Sequence, residues 1–280
     1  MAFSFISTDI AGAGSFPGRS DRHTVLAGGV PVTVYTFQPA GCAGGDILLL
    51  LAGYERNARD YRRSARALAT RACLTVVAPE LDQERFPRAI YQRAGIVPGD
   101  DETATRNCIS PVIADIIAWS RRRMTRASAS TVLFGHSAGA QLLSRLTAYC
   151  PLPEPRRIVI ANPSSHVWPD MTEAAPFGFG QLTGHLGAPA ALAAYLAQPI
   201  TIYLGTSDTE NDRLDQSRRA MRQGINRYER GRNVFTAAQK VARDRGLPFN
   251  WRLVEARGIG HDHKGMLGAP DALEAIAGSL

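Results

Sequence analysis

The sequence predicts an α/β fold in which a mostly parallel central sheet is covered by helices on both faces. Continuous apolar runs of strand length, at 46–52 and 74–78, alternate with segments that carry apolar residues at helical spacing. Such runs are typical of strands buried on both faces, and their alternation with helices indicates βαβ units. Because 45% of the 280 residues are hydrophobic, we expect one domain over 1–280 with a large core.

The chain begins with a hairpin and continues as a parallel array. Two β-like segments, 23–26 and 30–37, flank Gly28 and Gly29, which suit a tight turn. Apolar runs bounded by turn residues predict the further strands, at 46–52, 74–78, 131–134, 157–161, 200–204 and 250–255. We expect the connections between the parallel strands to be right-handed.

Helices are predicted where apolar residues recur every three or four positions. They span 57–71, 102–126, 138–148 and 272–276, and a long helical region at 212–245 is expected to be interrupted or bent near Gly224 and Gly231. Pro111 suits the first turn of the second helix, which makes Ser110 its candidate cap residue.

One segment, 163–198, does not follow this alternation of strands and helices. It is rich in Pro, Gly, Ala and aromatic residues, and only 190–196, after Pro189, has helical character. Excursions of this length in a compact domain are usually lids or binding loops. We therefore expect a lid-like or cap-like excursion after the sixth strand.

The net charge of +7 and the isoelectric point near 9.6 do not indicate a nucleic-acid partner. The basic residues are scattered, and Lys240 and Lys264 are the only lysines among them. The densest run, at 121–123, ends a predicted helix, where cations offset the negative end of the helix dipole. Since no nucleic-acid-binding motif accompanies these arginines, we expect a solvated basic surface and no nucleic-acid partner.

Features that the sequence lacks bear on its compartment and on cofactor binding. No run approaches the roughly 20 apolar residues of a membrane span, and the first 20 residues do not resemble a secretory signal. We therefore expect a soluble, cytoplasmic protein without a membrane span. No GxGxxG follows the first strand and no GxxxxGK[ST] occurs, so no cofactor is expected.

The four cysteines, at 42, 73, 108 and 150, are spaced singly, without a CxxC pair. This spacing does not indicate a metal site or a redox pair. Cys73 and Cys150 lie at the ends of predicted helices, where a small buried hydrophobe is the usual role. Their spacing does not call for a disulfide, and pairing stays open.

A candidate nucleophile lies in the run Gly135-His136-Ser137-Ala138-Gly139, which matches G-x-S-x-G. A predicted strand precedes the run and a predicted helix follows it, as a nucleophile elbow requires. Such a turn strains the serine backbone and exposes its hydroxyl, and the helix amino terminus adds positive potential where an oxyanion would form. The alternative is a serine that only caps a helix after a glycine turn.

An acid and a base follow in the chain order that this kind of site requires. Asp208 comes after the predicted strand 200–204, with Glu210 and Asp212 as competitors. His261 comes after the last predicted strand, behind Gly258 and Gly260, with His263 as the rival base. A serine hydroxyl is a poor nucleophile until a base removes its proton, so we predict a Ser137, His261 and Asp208 triad. A His-x-His metal site lacks a third ligand, and no metal is expected.

The residues around this triad are assigned to oxyanion binding and to substrate binding. The oxyanion donors are expected to be the backbone N–H groups of Ala138 and Tyr54, the latter in the loop after strand 46–52. His136 is expected to be a pocket residue, and Trp168 and Phe177 of the excursion are predicted to contact substrate. His166 and His185 are expected to face solvent or to line the substrate site.

The chain resembles the α/β-hydrolase superfamily, and within it bacterial esterase-like proteins related to polyhydroxyalkanoate-depolymerase-type hydrolases. The similar stretches span about 30–275, and they are GYERNARDYR, VVAPELDQERFP, FGHSAGAQLLSR, YLGTSDTEND, NRYERGRNVF and WRLVEARGIGHD. The resemblance implies an α/β-hydrolase fold. It also implies Ser137 as nucleophile, Asp208 as acid, His261 as base, and Tyr54 with Ala138 as oxyanion donors.

These patterns predict a serine hydrolase that cleaves a carboxylic ester, from a small molecule or a polymer, through an acyl-enzyme. An acyltransferase, thioesterase, lactonase or amidase would use the same triad. A non-catalytic binding module on this scaffold would be expected to lack a triad member, and all three candidates are present. Because one fold hosts many chemistries, the fold alone does not choose among them.

Overall fold

Eight strands form one sheet in the computed structural model, which describes residues 17–96, 107–182 and 187–277. Their order across the sheet is β1-β2-β4-β3-β5-β6-β7-β8. β1 pairs antiparallel with β2, β2 pairs antiparallel with β4, and the strands from β3 to β8 run parallel. The strands are β1 (Gly18–Ala27), β2 (Val30–Pro39), β3 (Asp46–Leu51), β4 (Leu74–Glu80), β5 (Thr131–His136), β6 (Arg157–Ala161), β7 (Ile200–Gly205) and β8 (Arg252–Ala256).

Helices connect the parallel strands and close the described part of the chain. They are α1 (Ala58–Ser64), α2 (Arg66–Ala72), α3 (Arg88–Tyr91), α4 (Ser110–Arg123), α5 (Ala138–Tyr149), α6 (Gly187–Leu196), α7 (Arg218–Met221), α8 (Arg227–Arg245), α9 (His263–Gly268) and α10 (Asp271–Ala277). Within the described ranges, no helix combines the length and the apolar character that crossing a membrane requires.

Both faces of the sheet are buried, as the apolar runs predict. In β3, Ile47, Leu49 and Leu51 point into one core cluster, while Leu48 and Leu50 point into the other. The first cluster includes apolar residues of α4, α5, α6 and α8, and the second those of α1, α2, α9 and α10. The predicted α/β class, with a mostly parallel sheet between two helical layers, is confirmed.

Several predicted helix boundaries differ from the structure. The helix expected at 57–71 is two helices that meet at Ala65, and α4 has Ile109 rather than Ser110 as its cap, with Ser110 as its first residue. Part of the predicted helix 102–126 lies outside the described residues. The region 212–245 is interrupted before Asn226, yet Gly231 does not bend α8. A Cβ at Gly231 would lie 2.3 Å from Leu204 Cδ2, so this glycine lets α8 approach β7.

The described part of the excursion packs into the domain. Val167 donates its N–H to Ser144 Oγ of α5 at 2.9 Å, and Phe179, Leu192 and Tyr195 are buried in the core. Its helix, α6, contacts α5 and α8. These residues form part of a helical layer, so the structure does not show the lid that the composition predicts.

All four cysteines are paired in two disulfides, which the spacing left open. Cys42 bonds to Cys73 with a Cα–Cα distance of 5.2 Å, and Cys108 bonds to Cys150 with a Cα–Cα distance of 6.7 Å. The first joins the segment before β3 to the end of α2, and the second joins the segment before α4 to the end of α5. Only the tertiary structure brings these pairs together, since 31 and 42 positions separate them.

Reducing the disulfides is expected to destabilise the protein. Closing loops of these lengths in the unfolded chain corresponds to about 3 to 4 kcal/mol per disulfide in the chain-entropy account. Urea unfolding followed by tryptophan fluorescence should therefore show a lower midpoint with reductant than without. A variant with alanine at all four cysteines is the control, because its midpoint should not respond to reductant. Equal midpoints for oxidised and reduced wild type would contradict this expectation.

Candidate active site

Ser137 lies in the turn that joins β5 directly to α5. Its backbone has φ 55° and ψ −114°, and its N–H donates to Ala161 O at 2.9 Å. A positive φ is unusual for a residue with a Cβ, and such strain is concentrated at functional sites. The turn places the serine side chain at the carboxyl end of the sheet, where ligands bind in parallel α/β folds.

The two motif glycines allow this tight turn. A Cβ at Gly135 would lie 2.4 Å from Gly139 O, and one at Gly139 would lie 2.2 Å from Leu51 O. Both contacts involve backbone atoms, which cannot move aside as a flexible side chain could. The small residues around Ser137 are therefore required by the close approach of β5, α5 and β3.

Three candidate triad side chains form one hydrogen-bonded row. Ser137 Oγ is 3.0 Å from His261 Nε2, and His261 Nδ1 is 2.7 Å from Asp208 Oδ2. A carboxylate only accepts hydrogen bonds, so Nδ1 carries the proton that is donated to Asp208. Nε2 is then the acceptor for the serine hydroxyl, and this tautomer is the one that a general base requires.

Asp208 occupies the acid position, and its two competitors do not. It follows β7, its side chain is fully buried, and Arg227 Nη1 lies 3.6 Å from its second oxygen, Oδ1. Glu210 and Asp212 are exposed, and their backbone carbonyls accept hydrogen bonds from Arg227. Burial lowers the pKa of Arg227, while the nearby Asp208 opposes that shift. Arg227 thus places a positive charge behind the acid.

His263, the rival base, has a different environment. Its ring stacks on Tyr61 with a centroid distance of 4.1 Å and an interplanar angle of 10°. Burial lowers the pKa of His263. Asp262 caps α9 by accepting from the N–H groups of Lys264 and Gly265, which turns the chain between the two histidines. The structure therefore directs His261, and not His263, towards Ser137 Oγ.

His136 joins the elbow to the loop after β3. Tyr61 OH lies 2.8 Å from His136 Nδ1 and accepts the N–H of Gly53 at 2.9 Å. The hydroxyl has one proton, so it donates to His136 while it accepts from Gly53. Burial, together with His261, lowers the pKa of His136 well below its ordinary value. A neutral His136 therefore holds Tyr61, which in turn fixes the loop that contains Tyr54.

The two predicted oxyanion donors belong to residues near Ser137. Ala138 begins α5, where the first N–H groups have no intrahelical acceptor. Tyr54 belongs to the loop held by Tyr61, its side chain is 47% exposed, and it lines the cavity that contains Ser137 and His261. Ala138 is thus adjacent to Ser137, and Tyr54 lines the same cavity.

The remaining predicted substrate contacts divide between the cavity and the core. His136 lines the cavity of about 190 Å³ around Ser137, and Ser164 is the residue of the excursion that reaches it among those described. Trp168 and Phe177 are not brought to this cavity. Phe177 is buried beneath the guanidinium groups of Arg145 and Arg219, and Trp168 packs against the core. Aromatic composition alone does not distinguish core packing from substrate contact.

His166 is a core residue, and the expectation that it faces solvent or the substrate is wrong. It is 1% exposed, and its backbone N–H and C=O both bond to the Gln223 side chain at 2.9 Å. Its position among buried residues was not visible from a loop-like local sequence. His185 lies outside the described residues.

Lowering the pH is expected to destabilise the protein through His166. Burial, with Arg145 and Arg230 nearby, lowers the pKa of His166 to about 3. The folded pKa is below the unfolded one, so between about pH 6.5 and 3 the unfolded chain takes up a proton that the folded protein does not. The free energy of unfolding should then fall by up to about 1.4 kcal/mol per pH unit. Urea unfolding between pH 7 and 4.5 measures this slope.

His166→Gln provides the matched control for that slope, because glutamine does not titrate. Its unfolding free energy at pH 7 can differ from that of wild type without affecting the comparison. The informative quantity is the slope of the unfolding free energy against pH, which should be shallower in the variant than in wild type. Equal slopes for the two proteins would show that His166 is not the group that titrates.

Three functional candidates were not identified from the sequence. Tyr61 lies in the helix predicted at 57–71, and Arg227 lies in the helical region predicted at 212–245. Gln92, which lines the cavity with Ser137, follows a short helix that was not predicted. No local pattern would have identified these residues, since their contacts join positions far apart in the chain.

Metal ligands are not grouped in the parts of the chain that the structure covers. No three His, Cys, Asp or Glu side chains there could hold a metal ion together. His261 and His263, which share a His-x-His run, have separate partners in Asp208 and Tyr61.

Solved structures with the same architecture include two at 29% identity. One is the poly(3-hydroxybutyrate) depolymerase LpqC from Bordetella parapertussis, with a TM-score of 0.79, 92% of this chain covered and 93% of that chain. The other is poly(aspartic acid) hydrolase-1 from Sphingomonas sp. KT-1, with a TM-score of 0.79, 89% of this chain covered and 95% of that chain.

A more distant similarity extends to a fungal esterase structure. Carboxyl esterase 2 from Tuber melanosporum has a TM-score of 0.54 at 12% identity, with 96% of this chain covered and 85% of that chain. At that identity the likeness concerns the fold alone. No protein-family model and no curated protein matches the chain.

Proposed function

We propose that this chain, a member of the α/β-hydrolase superfamily, is a serine hydrolase that cleaves a carboxylic ester through an acyl-enzyme. The observation that carries the proposal is the row Ser137 Oγ, His261 and Asp208, with distances of 3.0 and 2.7 Å. It stands on a strained elbow at the carboxyl end of a parallel sheet. The two neighbours at 29% identity are themselves named as a depolymerase and a hydrolase.

In the first half-reaction, Ser137 Oγ attacks the acyl carbon while His261 Nε2 takes the hydroxyl proton. Asp208 accepts a hydrogen bond from Nδ1 and stabilises the imidazolium that forms. The negative charge on the carbonyl oxygen is bound by the N–H groups of Ala138 and Tyr54. His261 then gives its proton to the leaving alcohol, and the acyl group remains on Ser137.

In the second half-reaction, water replaces the alcohol. His261 takes a proton from water as the water oxygen attacks the acyl carbon, and the acid is released when Ser137 regains its proton. Arg227 has a supporting role, since its positive charge 3.6 Å from Asp208 Oδ1 attracts the carboxylate and holds it behind His261.

Amide hydrolysis is the second candidate, favoured by the neighbour named for poly(aspartic acid), whose units are joined by amide bonds. The triad is the same, and the leaving group becomes an amine that His261 must protonate. A pair of substrates with one acyl group, as p-nitrophenyl ester and as p-nitroanilide, separates these candidates by the ratio of their kcat/KM values.

The test of the proposed function is covalent labelling of the native protein with a fluorophosphonate. Because the reagent needs an activated serine, we expect one adduct by intact mass and its location on Ser137 by peptide mapping. Unfolded protein should not react. Failure of the folded protein to be labelled, or labelling at another serine, would overturn the proposal.

We also propose that the protein acts in an oxidising compartment, which revises the cytoplasmic expectation. The support is the pairing of all four cysteines, because disulfides are rare in the reducing cytosol. The test is to isolate the protein from its native compartment in the presence of an alkylating reagent and to count the alkylated cysteines by intact mass. Alkylation of all four cysteines would contradict the proposal.

A further inference from the structure

A second and larger cavity adjoins the one that contains Ser137. Its volume is about 700 Å³, and its wall shares five residues with the smaller cavity: Tyr54, Gln92, Gln141, Ser164 and Arg213. Two cavities with so much common wall form one cleft. A substrate whose carbonyl lies at Ser137 can therefore extend into the larger cavity.

Most of the residues that line the larger cavity have polar or charged side chains. Apart from Pro87 and Leu214, each of its described lining residues carries a polar or charged side-chain atom. Gln92, Gln141 and Ser164 supply amide and hydroxyl groups at 5 to 8% exposure. Sites for apolar ligands are lined mainly by hydrophobic and aromatic side chains, so this wall is suited to a polar substituent.

Arg56 differs from the other arginines of this wall. Arg88 lies 3.6 Å from Asp215, and Arg213 pairs with Glu55. Arg56 is only 5% exposed and has no acidic partner within ion-pair distance among the described residues. Nη1 donates to the carbonyls of Gly53 and Tyr54, while Nε and Nη2 donate to no described residue.

A buried guanidinium without a counter-ion is costly, because arginine stays charged in proteins. The Tyr91 ring face, 3.6 Å from the guanidinium carbon, and two carbonyls offset part of the cost. Asp82 interacts with this charge only from beyond ion-pair distance, so the guanidinium has no direct carboxylate partner among the described residues and keeps unused donors. A carboxylate in the cavity would supply the opposite charge and accept from Nη2, whereas Nε is shielded from the cavity.

The position of the cavity indicates which part of the substrate it receives. His261 has to protonate the leaving group, so the leaving group must extend past His261. Neither His261 nor His263 is among the described residues of the larger cavity, whereas both line the smaller one. Arg56 follows Tyr54 by two positions, and its N–H bonds to Gly53 O at 3.1 Å, which keeps it beside the oxyanion loop. The larger cavity thus lies on the acyl side.

We infer that the acyl part of the substrate carries a carboxylate and that Arg56 binds it in the larger cavity. The inference rests on the proposed function and narrows its substrate class to half-esters or half-amides of dicarboxylic acids, including acidic polymer units. Gln92 and Ser164 then bind the same carboxylate or the chain that leads to it. Arg56 is a specificity-determining residue in this assignment.

The experiment compares p-nitrophenyl half-esters of glutaric and adipic acid with their matched methyl esters, which differ only in the carboxylate. Spontaneous hydrolysis is subtracted. Wild type should have the higher kcat/KM for the charged member of each pair. A hydrogen bond to a charged group contributes about 1.5 to 3 kcal/mol, so Arg56→Gln should reduce the charged-to-neutral ratio by roughly 10- to 100-fold.

The ratio separates substrate recognition from support of the oxyanion loop. Arg56 also bonds to the carbonyls of Gly53 and Tyr54, and losing those bonds should slow both esters alike and leave their ratio unchanged. Arg56→Lys keeps the charge and should retain an intermediate ratio. Arg122→Gln, an exposed change on α4 that lines neither cavity, controls for the loss of one positive charge.

Each outcome bears on one proposal. The carboxylate inference would be overturned if wild type prefers the methyl esters, or if Arg56→Gln leaves the charged-to-neutral kcat/KM ratio unchanged. In both cases, cleavage of the esters would still support the proposed function. Cleavage of neither ester, together with no phosphonate labelling, would overturn the proposed function instead. If Arg56→Gln fails to fold, two other measurements decide the question. The charged-to-neutral kcat/KM ratio of wild type should exceed one and fall with rising salt. The same ratio for Arg56→Lys should be lower than that of wild type.

Discussion

Replacing Ser137 by alanine is expected to lower kcat for ester hydrolysis by about 10⁶-fold, the loss typical of removing the nucleophile of such a triad. The substitution removes Oγ, which lies 3.0 Å from His261 Nε2, and leaves the elbow backbone in place. Any remaining rate would come from water attack assisted by the oxyanion donors. The measurement is the steady-state rate with p-nitrophenyl butyrate, corrected for spontaneous hydrolysis.

The control for that variant has to address folding, because Ser137 has a strained backbone. A thermal melt within a few degrees of wild type would show that the fold survives. Ser207→Ala provides a matched control, since this exposed serine is close to Asp208 in sequence and has no side-chain role in the proposed site. Full activity of Ser137→Ala would refute the nucleophile assignment.

Replacing His261 is expected to have a comparably large effect, and replacing His263 only a small one. His261→Phe removes the base and should lower kcat by about 10⁶-fold, as loss of the base does in related triads. His263→Phe keeps an aromatic ring against Tyr61, since the ring centroids of His263 and Tyr61 are 4.1 Å apart. Its activity should stay within a few-fold of wild type. Measuring kcat for both variants with one ester compares the two histidines directly.

The comparison is informative because the two histidines lie two positions apart and are replaced by the same residue. A structural disturbance of the loop would affect both variants, whereas loss of the base affects one of them. The opposite result, with His263→Phe inactive and His261→Phe active, would exchange the roles of the two side chains. Equal large losses with intact folding would show that both rings are required.

Local sequence was sufficient for the strands, for most of the helices and for the position of the elbow. Ser137 could be located because the motif stands between a buried strand and a helix, and both depend mainly on nearby residues. Asp208 and His261 could be located because each follows a strand, and parallel strands end at the same edge of the sheet. Helix ends were less accurate, as at Ala65 and Ile109, because packing decides them.

What the sequence did not contain is the set of contacts between distant positions. Tyr61 bonds to His136, 75 positions away, and the partners of each disulfide lie on different elements. Trp168 and Phe177 pack away from the cavity, although their composition suggested substrate contact. Arg56 has no carboxylate within ion-pair distance among the residues that the structure describes, and only the folded arrangement of its neighbours shows this.

By itself, then, the sequence determined the fold class, the strands and the chain order of Ser137, Asp208 and His261. The reason is that apolar periodicity, glycine turns and motif order are properties of neighbouring residues. The tertiary structure alone decided that His261 rather than His263 faces the serine, and that Asp208 rather than Glu210 or Asp212 is buried behind it. Those choices depend on burial and on charges from separate elements, which exist only once the sheet and its helices have packed.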